Sequence, residues 1–256
     1  EFDMKDAYSL DADEEGLDAS YKAMAQAYRN IYKRCGLPAL MVEADSGAIG
    51  GKDSHEFILA ANTGEDTVII CEGCNYAANL EKATGVKNHG SYETPLPMEE
   101  IDTPNIKTIK DLSSFINVPE TKILKSVIYW ANDEIIMVTI RGDLDINEVK
   151  LRNHFNSPDL RLATEQEIDS VGLPAGYVSP VGLEGIKRIA DDSVRSNTNY
   201  VVGANKPHLH LIHVNYPRDF DMDAVLDIAQ AKPGQACPNC GRALKSTRGI
   251  EVGHIF

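Results

Sequence analysis

Positive charge is the scarcest resource of this sequence. Lys and Arg number 25 against 39 Asp and Glu, a formal net charge of −14, so the summed field repels phosphate backbones and excludes a general nucleic-acid coat protein; any nucleic-acid contact must rest on a local cluster of cations. Long apolar runs are also missing. The richest, residues 123–130, is interrupted within ten residues by Lys, Asn or Asp, far short of the roughly 20 residues needed to cross a bilayer. There is no internal repeat or low-complexity tract, and 43% hydrophobic with 25% charged residues excludes a disordered or fibrous chain. Gly-x-Ser-x-Gly is absent, and Gly47, Gly50 and Gly51 lack the Gly-Lys-Ser/Thr ending of a phosphate loop. No initiator Met or signal peptide opens the chain, and both ends fall in strand-like alternation, so an internal piece of a longer polypeptide is expected.

What is present begins with a helix. From Leu17, Tyr21, Met24, Ala25, Tyr28, Ile31, Tyr32 and Cys35 recur at spacings of three and four until Gly36, which predicts an amphipathic helix with Cys35 on its buried face. Short apolar runs at 40–42, 56–60 and 67–71 predict an antiparallel sheet beneath it. Residues 84–100 carry Gly85, Gly90, Pro95 and Pro97 without periodicity and read as a linker. Beyond it, Ile106, Ile109, Leu112, Phe115 and Ile116 form a helical stripe. Strands at 127–130 and 135–140 meet at the turn Asn132-Asp133; Asp145 is expected to cap a helix ending near Phe155, and Thr164 with Glu167 to form a capping box. The mixed order of helices and strands predicts an α+β class, with domains at 1–83 plus 236–256 and at 101–235, and 84–100 as the linker between them.

Four of the five cysteines form Cys-x-x-Cys pairs, Cys71/Cys74 and Cys237/Cys240. Thiolates two residues apart on a tight turn can face one point, and two such turns complete the tetrahedral shell of a closed zinc site. Disulfides or free thiols are the alternative. Because the pairs stand far apart in sequence, they mark the base of an insertion whose ends return to one place.

Long runs then resemble a known family. Phe2-x-Met4-Lys5-Asp6-Ala7-Tyr8-Ser9, Ala44-Asp45-Ser46-Gly47-x-Ile49-Gly50-Gly51-x-x-Ser54-His55-Glu56-Phe57, Asn75-Tyr76-Ala77-Ala78-Asn79 and Arg248-Gly249-Ile250-Glu251-Val252-Gly253-His254-Ile255-Phe256 resemble bacterial-type prolyl-tRNA synthetase. Lys125, Arg141-Gly142-Asp143, Gly176-Tyr177-Val178-Ser179-Pro180 and Gly203-Ala204-Asn205 resemble the YbaK-like editing domain inserted in that enzyme. The resemblance implies part of a class II synthetase antiparallel-sheet catalytic domain interrupted by a mixed α/β editing domain. It places the chain from the tail of motif 2 to a point before motif 3, so aminoacylation is not expected from this piece alone.

The family's activity, ligation of proline to its tRNA with ATP and Mg2+, is implied for the parent, as are a cytoplasmic location and a homodimer with no membrane partner. Hydrolysis of alanine mischarged onto the proline tRNA is implied for the insertion. Lys125, Gly176, Pro180, Asp191 and His210 take the editing positions, with Asp191 and His210 lining one pocket with Lys125; from the helix face and proximity to Lys125, Ile109, Leu112 and Ile123 or Leu124 are expected to form its apolar wall. Phe2, His55, Glu56 and Arg141 take substrate-binding positions, and Cys71, Cys74, Cys237 and Cys240 the structural zinc. A noncatalytic, zinc-stabilised tRNA-binding or interaction module is the alternative.

Overall fold

In chain order the elements of a computed structural model, which describes residues 3–51, 53–90 and 92–256, are α1 (Glu14–Arg34), β1 (Leu40–Glu43), β2 (His55–Ala60), β3 (Asp66–Ile70), β4 (Ala77–Asn79), β5 (Glu99–Asp102), α2 (Ile109–Ile116), β6 (Leu124–Ala131), β7 (Glu134–Arg141), α3 (Glu148–Phe155), β8 (Arg161–Leu162), α4 (Glu165–Ser170), β9 (Lys187–Asp191), β10 (Tyr200–Gly203), β11 (Leu209–Val214), β12 (Ala224–Leu226) and β13 (Lys245–Ile255). They divide into two compact units. The first combines Glu1–Ala83 with Lys232–Phe256, and the second is the continuous stretch Thr84–Ala231.

In the first unit, Asp13 caps α1 by accepting from the Gly16 amide, and Gly36 leaves the helix at φ +70°. The apolar face of α1 delivers Ala25 and Tyr32 onto Phe57 of β2 and Ile255 of β13, and the Tyr28 ring stacks on Phe57 at 5.1 Å. Cys35, expected on the buried face, is exposed, because the helix ends at Arg34 and Cys35 serves as its C-cap. The strands close into a barrel in the order β1-β2-β13-β3-β4. β13 holds it together, its first half antiparallel to β3 and its second to β2. A register shift between Glu251 and Gly253 breaks the side-chain alternation there. The opening residues 3–11 form no strand and are exposed, so they do not join this sheet as their composition suggests.

The second unit holds a five-stranded sheet, β12-β9-β7-β6-β8, and a three-stranded one, β10-β11-β5. β6 and β7 form a hairpin with Ala131 opposite Glu134, and Asn132 and Asp133 both take positive φ, 50° and 61°, as a two-residue turn matched to strand twist requires. β7, β9 and β12 run parallel, so this unit is a mixed α/β structure. Asn147, not Asp145, caps α3, because its side chain reaches the amides of Val149 and Lys150. Thr164 and Glu167 close the capping box of α4.

Residues 84–100, expected as a linker, are part of this unit. Lys87 is buried, Gly90 donates to the Ser196 carbonyl, and β5 pairs with β11. The polar, Gly- and Pro-containing composition hid a segment whose partners, such as Asp191 for Lys87 and Ser196 for Gly90, lie about a hundred residues away in sequence.

Candidate functional site

A cavity of the second unit, about 260 Å3, opens where the start of α2, the start of β6 and the loop before β9 converge. Its apolar wall comes from Ile109 and Leu112 of α2 with Ile123 and Leu124. These residues line it because α2 and the head of β6 share a small core of Leu112, Ile123 and Val201. Polar groups enter from Thr108, Lys125, Ser126 and His210, and the opposing rim is backbone-rich, with Gly176, Val178 and Gly203.

The rim is held by a clamp. A Cβ on residue 203 would stand 2.1 Å from the Tyr177 carbonyl oxygen, so only glycine lets β10 lie this close to the 176–180 loop. Two residues on, the Asn205 side chain accepts from the Ser179 amide at 2.8 Å and donates to the carbonyls of Ser179 and Val181. The Tyr177 amide donates to Pro174. Gly176 and Val178, the alternate residues of the loop, are the ones that line the cavity. Pro180 is buried behind them and closes the loop, its carbonyl accepting from Leu183.

His210 is 4% exposed. Its Nδ1 lies 2.6 Å from the Thr103 hydroxyl, and its ring meets Tyr177 edge-on at 5.5 Å. Burial lowers its pKa to about 4, so at neutral pH it presents a hydrogen-bonding ring without charge. Lys125 is half-buried, with its ammonium 3.5 Å from Asp145.

Two of the expected residues lie elsewhere. Asp191 does not line the cavity. Its fully buried carboxylate accepts from the amides of Ser193, Ile228 and Ala229 and from Lys87 at 2.8 Å, and Lys87 also pairs with Asp192 and with Asp227, itself bonded to Lys150. Both carboxylate oxygens are engaged by the protein, Oδ1 by the Ser193 amide and Oδ2 by Lys87 and the amides of Ile228 and Ala229, so the group serves the frame of the unit. Arg141, expected to bind substrate, is 3% exposed. Its guanidinium is spent on Asp143, the Asn88 carbonyl and the Ser196 hydroxyl. Both frame the unit because β7 and β9 end beside the entering segment 84–90. Lys107, Thr108 and Ser126 line the cavity and were missed in the sequence; the signal was adjacency, of Lys107 and Thr108 to the apolar stripe of α2 and of Ser126 to Lys125.

In the first unit, His55 and Glu56 sit side by side on β2. The Tyr21 hydroxyl lies 2.7 Å from His55 Nδ1, and burial lowers the His55 pKa. Burial raises Glu56 to about 7, with the nearby Glu251 charge adding to the effect, while Asn79 donates to it at 3.1 Å. Phe2 lies outside the described residues. The four cysteines converge, with their sulfurs within 4.8 Å of one another. Cys71 and Cys240 are 3.4 Å apart, and Cys74 and Cys237 3.6 Å. Disulfide sulfurs stand about 2.05 Å apart, whereas a tetrahedron with Zn–S near 2.3 Å sets them about 3.8 Å apart. The Gly73 amide donates to the Cys71 sulfur at 3.3 Å. The donor set fits a closed tetrahedral metal site.

Residues 103–220 match the family described as "Aminoacyl-tRNA editing domain". Over 256 residues the whole chain is 52% identical to a proline–tRNA ligase of Dehalococcoides mccartyi, strain ATCC BAA-2266 / KCTC 15142 / 195, and covers 45% of that protein. It is 47% identical to a proline–tRNA ligase of Sulfurihydrogenibium sp. (strain YO3AOP1), again covering 45% of it. The chain thus spans about half the length of the curated relatives it matches. A solved structure described as "a putative trans-editing enzyme for prolyl tRNA synthetase" shares 17% identity over 52% of this chain and 87% of that one, at a TM-score of 0.47.

Proposed function

We propose that the chain is a segment of a prolyl-tRNA synthetase carrying the aminoacyl-tRNA editing domain, and that its second unit hydrolyses alanine mischarged onto the proline tRNA. The observation that carries this reading is the cavity within the segment matching the editing domain, with Lys125, the Gly176 loop and His210 at one small apolar-walled space.

An aminoacyl ester is labile, so the site needs to place water, stabilise the developing oxyanion and reject the wrong side chain. Water adds to the ester carbonyl and the carbon–oxygen bond to the terminal ribose breaks; one of the water's protons ends on the ribose oxygen, the other passes to solvent, and alanine departs as a carboxylate. In this reading the backbone amides of the Gly176–Val178 rim meet the oxyanion and Lys125 holds the terminal nucleoside, both supported by their lining the cavity. His210 supplies a neutral ring at the floor. Ile109, Leu112, Ile123 and Leu124 admit a methyl side chain and exclude the larger pyrrolidine ring by overlap, since close-packed walls yield little. Pro180 shapes the loop. Asp191 acts at a distance by fixing the frame.

For the whole protein we propose ligation of proline to its tRNA with ATP and Mg2+, as a homodimer in the cytoplasm. The first unit would be part of a class II catalytic domain, with Phe2, His55 and Glu56 near the amino acid, and Cys71, Cys74, Cys237 and Cys240 would hold a structural zinc. The test uses the chain itself with alanyl- and prolyl-tRNA carrying the proline anticodon. Release of alanine but not proline is expected. Binding without turnover would leave the noncatalytic tRNA-binding module instead.

A further inference from the structure

We propose that Lys107, and not only Lys125, is a substrate-binding cation of this cavity, holding the phosphodiester that links the last two nucleotides of the aminoacyl-tRNA. The inference rests on the editing reading above and adds to it the residue that receives the backbone charge.

The local charge is the first observation. In a chain of net −14, the cavity is lined by Lys107 and Lys125 and, among the described residues, by no carboxylate. His210 is neutral there. The cavity is therefore a positive spot on an acidic protein, the arrangement that draws one anionic group out of solution.

The two lysines are not equivalent. Lys125 faces Asp145 at 3.5 Å, which offsets part of its charge. Lys107 is exposed and has no ion-pair partner among the described residues. It is nonetheless not a loosely waving surface lysine. A Cβ on Gly176 would stand 3.1 to 3.2 Å from Lys107 Cβ, Cγ and Cδ, so the stem of Lys107 lies along the α-carbon of the loop that borders the cavity. That contact restricts the first three carbons on one side and leaves the ammonium to the last torsions, which lowers the ordering cost of gripping a ligand. Gly176, at φ +89°, serves two ends at once, since its bare α-carbon turns the loop and gives the stem its track.

The geometry also separates the roles. Lys125 lies with Ser126, Leu124 and Ile123 on the strand side, whereas Lys107 lies on the loop side beside Gly176. In an aminoacyl-tRNA whose ester is seated at the Gly176 loop, the phosphodiester nearest in the chain is the one immediately preceding the terminal nucleoside, and Lys107 is the cation beside that loop. A compact ammonium suits a single phosphate oxygen pair as a point charge.

The experiment compares two substrates on the full chain: alanyl-tRNA for proline, and alanyl-adenosine, which carries the same ester and ribose but no phosphodiester. Lys107→Met keeps the stem and removes the charge. It is expected to raise KM for alanyl-tRNA about tenfold with kcat little changed, to leave alanyl-adenosine hydrolysis at the wild-type rate, and to reduce the slope of log(kcat/KM) against log salt by about 0.7, one phosphate contact on a single strand. Lys107→Arg should restore most of the tRNA rate. Equal losses on both substrates would make Lys107 a wall residue and overturn the inference, as would no loss on either. Absence of alanyl-tRNA hydrolysis by the wild-type chain would instead overturn the editing reading itself, so the two failures are distinct.

Discussion

Burial of a single imidazole makes the acid behaviour of the second unit predictable. His210 has a folded pKa of about 4, below its ordinary value near 6.5, so between those values the unfolded chain binds a proton that the folded unit refuses. Stability contributed by the neutral ring is complete above pH 6.5 and is lost as pH falls towards 4, on the order of 2–3 kcal/mol in all. Melting of the wild type from pH 7 to 4.5 should therefore fall more steeply than that of His210→Gln; parallel curves would show that the ring titrates normally. Glu56 has the opposite sign. Its pKa is raised to about 7 by burial, reinforced by Glu251, so the folded first unit holds a proton that the unfolded chain releases above about 4.5. That contribution is present at pH 4.5 and lost as pH rises through 7. Glu56→Gln should flatten the descent of the first unit's melting temperature between pH 5 and 8, and an unchanged descent would remove Glu56 as its source. Lys125→Ala should slow alanyl-ester release about 10- to 150-fold, the range of a charge-assisted contact worth roughly 1.5–3 kcal/mol, read directly by single-turnover deacylation.

At the scale of elements, the 176–180 loop and β10 depend on one missing methyl. Gly203→Ala would put its Cβ against the Tyr177 carbonyl, backbone against backbone, so the loop must retreat. About 1–3 kcal/mol of destabilisation and loss of most editing are expected, measured by denaturant melts and deacylation together. The β6–β7 hairpin was legible because Asn132-Asp133 lies between two apolar runs, and α1 because its apolar positions repeat on one face for five turns. The capping box of α4 was legible for the same local reason. Segment 84–100 was not. A buried lysine looks in sequence like any solvated one, and the partners that explain Lys87 follow more than a hundred residues later at Asp191, Asp192 and Asp227. Asp145 likewise offered itself as a cap, and only the backbone path gave that role to Asn147. Of the site, Lys125, Gly176 and His210 meet at one cavity, whereas the burial that diverts Asp191 and Arg141 into the frame left no local trace.

Across the whole molecule, each unit has its own fastening. In the first it is the four-cysteine cluster, and Cys74→Ser should lower bound zinc from one per chain by elemental analysis and lower the melting temperature of that unit; zinc-free wild-type protein with four freely titrating thiols would dismiss the site. Structural zinc is worth roughly 10–16 kcal/mol of apparent binding energy in small domains. In the second it is the Lys87 network. Lys87→Met strands buried Asp191 without its cation and should cost about 3–5 kcal/mol, seen as a loss of melting temperature well beyond that of Asp192→Asn at the exposed edge of the same group.

The place of Asp191 in that network has a consequence for the unit's history. One carboxylate receives Lys87, near the first residue of the stretch, and the amides of Ile228 and Ala229, near its last. Both ends are thus pinned to the same buried atom group. A polypeptide that acquires such a stretch pays the closure entropy of a short hairpin rather than that of a loop of some 150 residues, because the ends are already gathered. The unit is in this sense a cassette. Residues 84–231 excised as a separate chain are expected to fold with their termini together, and the residue that gathers those termini does not line the cavity.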